Sequence, residues 1–289
     1  MPQMDLFDEF NRLQRQIDNI EDSAKRKIAR EYANGLEKLR NIVRKKYDKY
    51  GVDGELTYQE MAKYDRIKKL DKEVADAVKD MHVQTSKITR SSLRDTYKST
   101  FSGVKESLEI AADRTIKGQI KREVINEALQ NPVSGLTLND RLRRRRRDII
   151  VDIQETIGQG LYRGESYTDM SKRLKETLEG DVVKANRIVS TETHRVMEKS
   201  KSKAADYATN QGVKMKKYWQ DSGDEAVRDS HRHMAEKYNK DNAIPVDEDF
   251  VNDKTGGKGP APGQLGVAKD DIYCRCIAIY IVITQAKAA

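Results

Sequence analysis

Proline and cysteine are nearly missing from this chain: 289 residues hold five prolines, none of them between Pro2 and Pro132, and two cysteines separated by one residue. The proline gap removes the usual helix breaker from almost half of the sequence. Two cysteines at i and i+2 exclude a disulfide framework, because a bridge over that spacing is strained; Cys274 and Cys276 are read as reduced thiols, buried or metal-bound. Aromatics make up 6% against 35% charged residues, and the mean hydropathy is −0.84. Such a composition argues against one large compact core and for an elongated helical region plus one modest globular domain. No apolar run approaches the roughly 20 residues that span a bilayer. Met1-Pro2-Gln3-Met4-Asp5 lacks the basic-then-apolar pattern of a secretory signal, so the expected site of synthesis is the cytosol, with no membrane-spanning segment. The formal charge of +8 suits an anionic partner such as nucleic acid, although 47 interleaved acidic residues dilute that argument.

The first half is periodic. Leu6, Phe10, Leu13, Ile17, Ile20 and Ala24 repeat at steps of four and three, the seam of a coiled coil or of a helix packed along its length. From Ala24 the steps become four through Ile28, Tyr32 and Leu36, before Leu39, Val43, Tyr47 and Tyr50 carry the stripe on. Gly51-Val52-Asp53-Gly54 breaks it, and Thr57-Tyr58-Gln59-Glu60 has the form of a capping box that starts a second helix. Met61, Tyr64, Ile67, Val74, Val78 and Met81 continue at helical spacing, with the Ser/Thr-rich run from His82 to Ser92 and Gly103 as weak points. Residues 1–131 are therefore read as a coiled-coil-like helical stalk. Asn131-Pro132-Val133-Ser134-Gly135 marks the boundary.

Beyond it the segment 136–212 reads as helical, with a helix-turn-helix around Gly158, Gly160 and Gly164, a stop at Gly180 and a further helix to Gly212. Arg143, Arg144, Arg145, Arg146 and Arg147 form the densest basic run. Five consecutive helical residues sweep more than a full turn, so two or three of them are able to grip phosphates while the rest face elsewhere. Residues 213–285 read as a small α+β unit. Its last run, Cys274 to Thr284, is a strand apolar on both faces, partnered by Val213 to Trp219. Gly256, Gly257, Gly259, Gly263 and Gly266, with Pro260 and Pro262, make a loop too poor in apolar side chains to pack itself, expected to be mobile until something binds it. The fold class is mainly α with a small C-terminal α+β domain.

Seven motifs follow one another in this half: G-L-T-L-N-D-R, G-L-Y-R-G-E-S-Y-T-D-M, R-I-V-S-T-E-T, G-V-K-M-K-K-Y-W, D-E-A-V-R-D-S-H, G-P-A-P-G and Y-C-R-C. In this order and spacing they resemble the tailed-phage minor head protein family, also called head morphogenesis or Mu F-like. The resemblance covers roughly Leu136 to Ile283 and marks Arg187, Thr191, Glu192, Trp219, Asp221, Arg228, His231, Pro262, Gly263, Cys274 and Cys276. It implies a low-copy virion component of the head interior, associated with the portal protein, with the major capsid or scaffolding protein as a further partner. It also implies binding to double-stranded DNA without sequence preference and assistance to head assembly, packaging or ejection. The family often has a small residue and Asn after the Thr-Glu pair and a Gly shortly after the His; here Val196-Met197 and Arg232-His233 stand in their places.

For chemistry, His231, His233, Cys274 and Cys276 offer the four N/S ligands of a structural zinc. Cys-x-Cys and His-x-His are not the usual knuckle spacings, and on a helix the two imidazoles point about 200° apart. The favoured reading is packing beside Trp219 with no cofactor, and zinc is its alternative. Glu192 is a candidate anchor for Arg228. The chain carries no P-loop, no Gly-x-Ser-x-Gly, no His-Glu-x-x-His and no diagnostic carboxylate pair, so no enzyme is expected. A metal-dependent nuclease built on His231 with Glu192, Asp221 or Asp229 is the alternative.

Overall fold

The computed structural model describes residues 6–133 and 135–283. Helices α1 (Phe7–Tyr50), α2 (Tyr58–Ala62), α3 (Arg66–Ala112), α4 (Arg122–Gln130), α5 (Leu138–Arg163) and α6 (Tyr167–Thr209) come first. They lead into β1 (Met215–Gln220), α7 (Asp229–Lys237), β2 (Ile244–Pro245), β3 (Phe250–Asn252), β4 (Gly257–Gly259), α8 (Ala268–Asp271) and β5 (Ile277–Val282). Apart from single bridges, every strand among the described residues lies after Gly212. The class is the expected one, mainly α with a small α+β part near the C-terminal side. The chain packs as two compact units, one made of Met1–Asp22, Arg90–Leu138 and Val189–Ala289, the other of Ser23–Thr89 and Asn139–Ile188.

In the second of these units Ile28, Tyr32, Leu39, Val43 and Tyr47 are buried as the apolar stripe requires. Leu36 is only half-buried and Gly35 takes the inner place. A Cβ on Gly35 would stand 2.6 Å from Met81 Sδ, so the missing side chain is what lets the thioether in. The Thr57 cap forms by half: its Oγ1 accepts from Glu60 N at 3.3 Å, while the Glu60 carboxylate turns to Lys63 and Arg66 rather than back to the cap. The resulting helix α2 lasts five residues, and Tyr64, at φ 53°, breaks it before α3 begins. α3 then runs unbroken through the Ser/Thr-rich stretch, where Thr85 Oγ1 donates to His82 O at 3.2 Å and Thr89 Oγ1 to Thr85 O at 2.8 Å. The expected stop at Gly180 is replaced by one helix, α6, running through it. A helical glycine costs only about 1 kcal/mol, and its neighbour Asp181 is fully engaged. Tyr32 Oη donates to Asp181 at 2.6 Å, and Arg145 binds the other carboxylate oxygen, its Nε at 2.6 Å.

In the first unit β1 is the central strand, flanked by β2 and β5, all antiparallel. Tyr218 lies opposite Ile279 and Trp219 opposite Ala278. Ile277, Ala278, Ile279, Tyr280 and Val282 are buried, so β5 is covered on both faces as the sequence suggests; Thr284 lies outside the described residues. A polar seam on α6 docks the segment leading into and along β5. Thr191 Oγ1 accepts from Tyr273 N at 3.3 Å, Glu198 Oε2 accepts from Ala278 N at 3.1 Å, and Tyr280 Oη lies 3.3 Å from Ser202 Oγ. These positions recur at roughly two-turn and one-turn steps along one helix face. Glu198 also pairs with Lys201 at 2.7 Å, both nearly without solvent contact. Burial raises the Glu198 carboxyl and lowers the Lys201 ammonium, each against the pull of the other.

The Pro/Gly loop is packed, contrary to expectation, and its order is polar in origin. Buried Asp271 accepts from Leu265 N at 2.7 Å and Gly266 N at 2.9 Å. Asp270 accepts from Asn252 Nδ2 at 3.2 Å and from Thr255 Oγ1, and Lys217 Nζ donates to Pro260 O at 2.8 Å. Asp271 and Lys217 thus satisfy backbone groups that a glycine-rich loop leaves bare, while Asp270 ties down two of its neighbouring side chains.

Candidate functional site

The chemistry-bearing residues of the C-terminal part meet at one corner. Tyr273, in the left-handed region at φ 59°, ends the α8 turn and sets the chain extended. Along extended backbone alternate side chains share a face. Cys274 and Cys276 turn inward, while Arg275 turns out to make a bidentate pair with Asp224 at 2.5 and 2.7 Å. The first turn of α7 presents His231 to the two sulfurs: Nδ1 lies 3.3 Å from Cys276 Sγ and 3.7 Å from Cys274 Sγ. On the far edge of the same ring, Nε2 stands 3.6 Å from Asp270 Oδ1. Trp219 closes one side, its indole edge-on to the imidazole at 5.5 Å and 87°.

Both cysteines are free and buried. The Cys274 thiol is pushed up to about 11, first by its hydrogen bond with Cys276 and then by burial, while His194 and His231 act the other way. His194 was not singled out from sequence. It lies mid-α6, between Thr191 and Glu198 of the docking seam, is 8% exposed, and its Nε2 makes no hydrogen bond. Gly263, at φ +71°, lies against it; a Cβ there would come within 2.9 Å of His194 Cδ2. The only sequence signal for His194 is its position one turn after Thr191, too weak to find it without the fold. Asp270 was missed as well, since a Lys-Asp-Asp triplet reads as a solvated turn.

The structure thus brings together His231, Cys274, Cys276, Trp219, Gly263 and, through Tyr273, Thr191. It leaves His233 elsewhere: half-buried on another face of α7, it helps hold down the Asp253 carboxyl, after Lys237. Pro262 is buried in the loop beside Gly263. Asp221 Oδ1 caps its own turn by accepting from Gly223 N at 2.9 Å. The Glu192 anchor is different from the expected one. Glu192 is bound by Arg195, Nε to Oε2 at 2.9 Å, and Arg195 goes on to donate to Ala128 O at 2.8 Å. Arg228 donates to Ile272 O. Arg187 is exposed, in the other unit.

The basic run, also in that unit, divides by burial. Arg145 is committed to Asp181 and is mostly covered. Arg146 is half-buried, whereas Arg143, Arg144 and Arg147 are exposed. Among the described residues Arg144 and Arg147 have no carboxylate within ion-pair distance, and Arg143 has only a 3.5 Å contact with Asp140. Burial and the charges of Arg145 and Arg146 push nearby His82 down to about 4. Its 3.8 Å approach to Asp181 does not offset this, because Arg145 and Tyr32 already occupy that carboxylate.

Comparison with known proteins gives the class, a phage head protein. The family described as "Phage Mu protein F like protein" matches residues 151–279. The "Minor head protein GP7" of Bacillus phage SPP1 is 30% identical over 271 residues, covering 93% of this chain and 86% of that protein. The chain belongs to the phage minor head protein family, and its place is the virion head. A second relative, the "NAD(+)--arginine ADP-ribosyltransferase EFV" of Enterococcus faecalis, is 30% identical over 163 residues, 56% of this chain and 32% of that protein. No solved structure matches the chain. No helix among the described residues is long and apolar enough to cross a membrane.

Proposed function

We propose that the protein is a low-copy component of the head interior that associates with the portal protein, contacts major capsid or scaffolding protein during assembly in the host cytoplasm, and assists packaging or ejection of the genome. The observation that carries this reading is the near full-length match to a minor head protein, which extends through the N-terminal helices as well as the Mu F-like part. In this reading residues 132–289 form the head-protein module and residues 1–131 the helical region that positions it. The exposed Arg143, Arg144 and Arg147 support contact with double-stranded DNA through phosphates, without reading of bases. The role is structural and needs no turnover. The test is co-expression of the full chain with the phage's portal protein: a complex that co-purifies through size exclusion is expected, and two separate peaks would overturn the portal part of the reading.

A further inference from the structure

We propose that His194, His231, Cys274 and Cys276 form a tetrahedral zinc site that ties the segment entering β5 to helices α6 and α7. Zinc bonds of about 2.3 Å to sulfur and about 2.0 Å to nitrogen, at tetrahedral angles, place sulfur and nitrogen about 3.5 Å apart. His231 Nδ1 lies 3.3 and 3.7 Å from the two sulfurs, on either side of that value. The three ligand atoms all fall within 4.8 Å of one another, in a corner that is buried throughout.

The second observation concerns the far edge of the His231 ring. Nε2 faces the buried carboxylate of Asp270 at 3.6 Å. A proton held on Nε2 leaves the Nδ1 lone pair aimed at the thiols, which is the carboxylate–imidazole arrangement that orients metal-bound histidines. Asp270 itself is braced by Asn252 and Thr255.

The third observation favours a metal over packing. Thiols beside Trp219 satisfy His231 Nδ1 as a weak acceptor, but they leave a buried imidazole nitrogen on His194 with no hydrogen bond. Buried polar atoms are rarely left so. His194 neighbours the Cys274 thiol, and the missing side chain at Gly263, where a Cβ would come within 2.9 Å of His194 Cδ2, leaves its ring room. His194 stands outside that 4.8 Å group, so a turn of its ring toward the thiols is what brings the orphaned nitrogen in as the fourth ligand. The set is also neutral: zinc displaces one proton from each thiol, and two thiolates with two neutral imidazoles cancel its charge, so no net charge is buried.

The experiment uses the untagged full chain purified without added metal. Elemental analysis is expected to find close to one zinc per chain, and exchange with Co²⁺ should give thiolate-to-cobalt charge-transfer absorption with the strong visible bands of four-coordinate cobalt. His194→Gln should lose metal to a chelator at least tenfold more readily than the wild type, whereas His233→Gln should hold it as tightly. Wild-type protein that neither carries zinc nor shows the four-coordinate spectrum when titrated with Co²⁺ would overturn the site. Equal loss from His194→Gln and His233→Gln would overturn its fourth ligand. The wild-type titration decides the matter even where a cysteine variant fails to fold.

Discussion

Gly263 carries two separate demands, and they can be pulled apart by substitution. Its φ of +71° disfavours any side chain, and a Cβ would strike His194. Gly256 has nearly the same φ, +74°, with open space around it. Gly256→Ala is therefore expected to cost about 1–2 kcal/mol from backbone strain alone, and Gly263→Ala clearly more in urea unfolding; equal costs would show that the loop yields to the added methyl. Glu198 offers a similar contrast. Glu198→Ala removes the partner of buried Lys201 and of the Ala278 amide together, and should cost about 3–5 kcal/mol. The double change Glu198→Leu with Lys201→Met should cost much less than the sum of the single changes, because the charge and its counter-charge leave together.

At the level of elements, the start of α5 predicts two different outcomes for adjacent arginines. Replacing Arg143, Arg144 and Arg147 by Gln should leave the melting temperature nearly unchanged. It should weaken DNA binding alike for all sequences and flatten the log-affinity against log-salt slope by up to about 0.9 per lost contact. Arg145→Gln should do the reverse, destabilising the fold by leaving the buried charge of Asp181 without its guanidinium, while leaving the salt slope in place. An unchanged slope in the triple variant would assign those charges to solvation. Such a division was invisible in the sequence, where five arginines look alike and the distant Asp181 that claims one of them gives no local sign. Apolar periodicity, by contrast, showed the helices and the two-sided strand plainly, because Phe10, Ile17, Val43 or Ile279 reveal their burial by type and spacing. What pattern could not show was burial of polar groups. Thr191 is marked only by the resemblance, and His194, Glu198, Asp270 and Asp271 carry no local sign of burial, so the seam on α6, the packed glycine loop and half of the thiol corner emerged only with the fold. Gly180 misled for the opposite reason: a residue known as a helix breaker costs little where its neighbour is firmly bonded.

For the molecule as a whole, pH should act on stability through His82. Its folded pKa of about 4 lies below the ordinary value of 6.5, so the folded state binds fewer protons than the unfolded one between those limits. The contribution is complete above about pH 6.5 and is lost as pH falls toward 4, at most about 3 kcal/mol. Urea midpoints followed by helical ellipticity should therefore drop from pH 7 to pH 4.5 by more in the wild type than in His82→Leu. Parallel declines in both would rule out His82 as the titrating group.

Trp219 is the only tryptophan in the chain, and it stands edge-on to His231. Its fluorescence, excited where tyrosine does not absorb, therefore comes from a single place, the unit that contains β1. Ellipticity sums over helices of both units. Overlaid unfolding curves from these two signals compare one unit with the whole chain, and a gap between their midpoints shows that the units do not unfold together. Because the imidazole lies against the indole, displacing His231 should change the emission while the long helices stay intact, an optical readout of the thiol corner that needs no label.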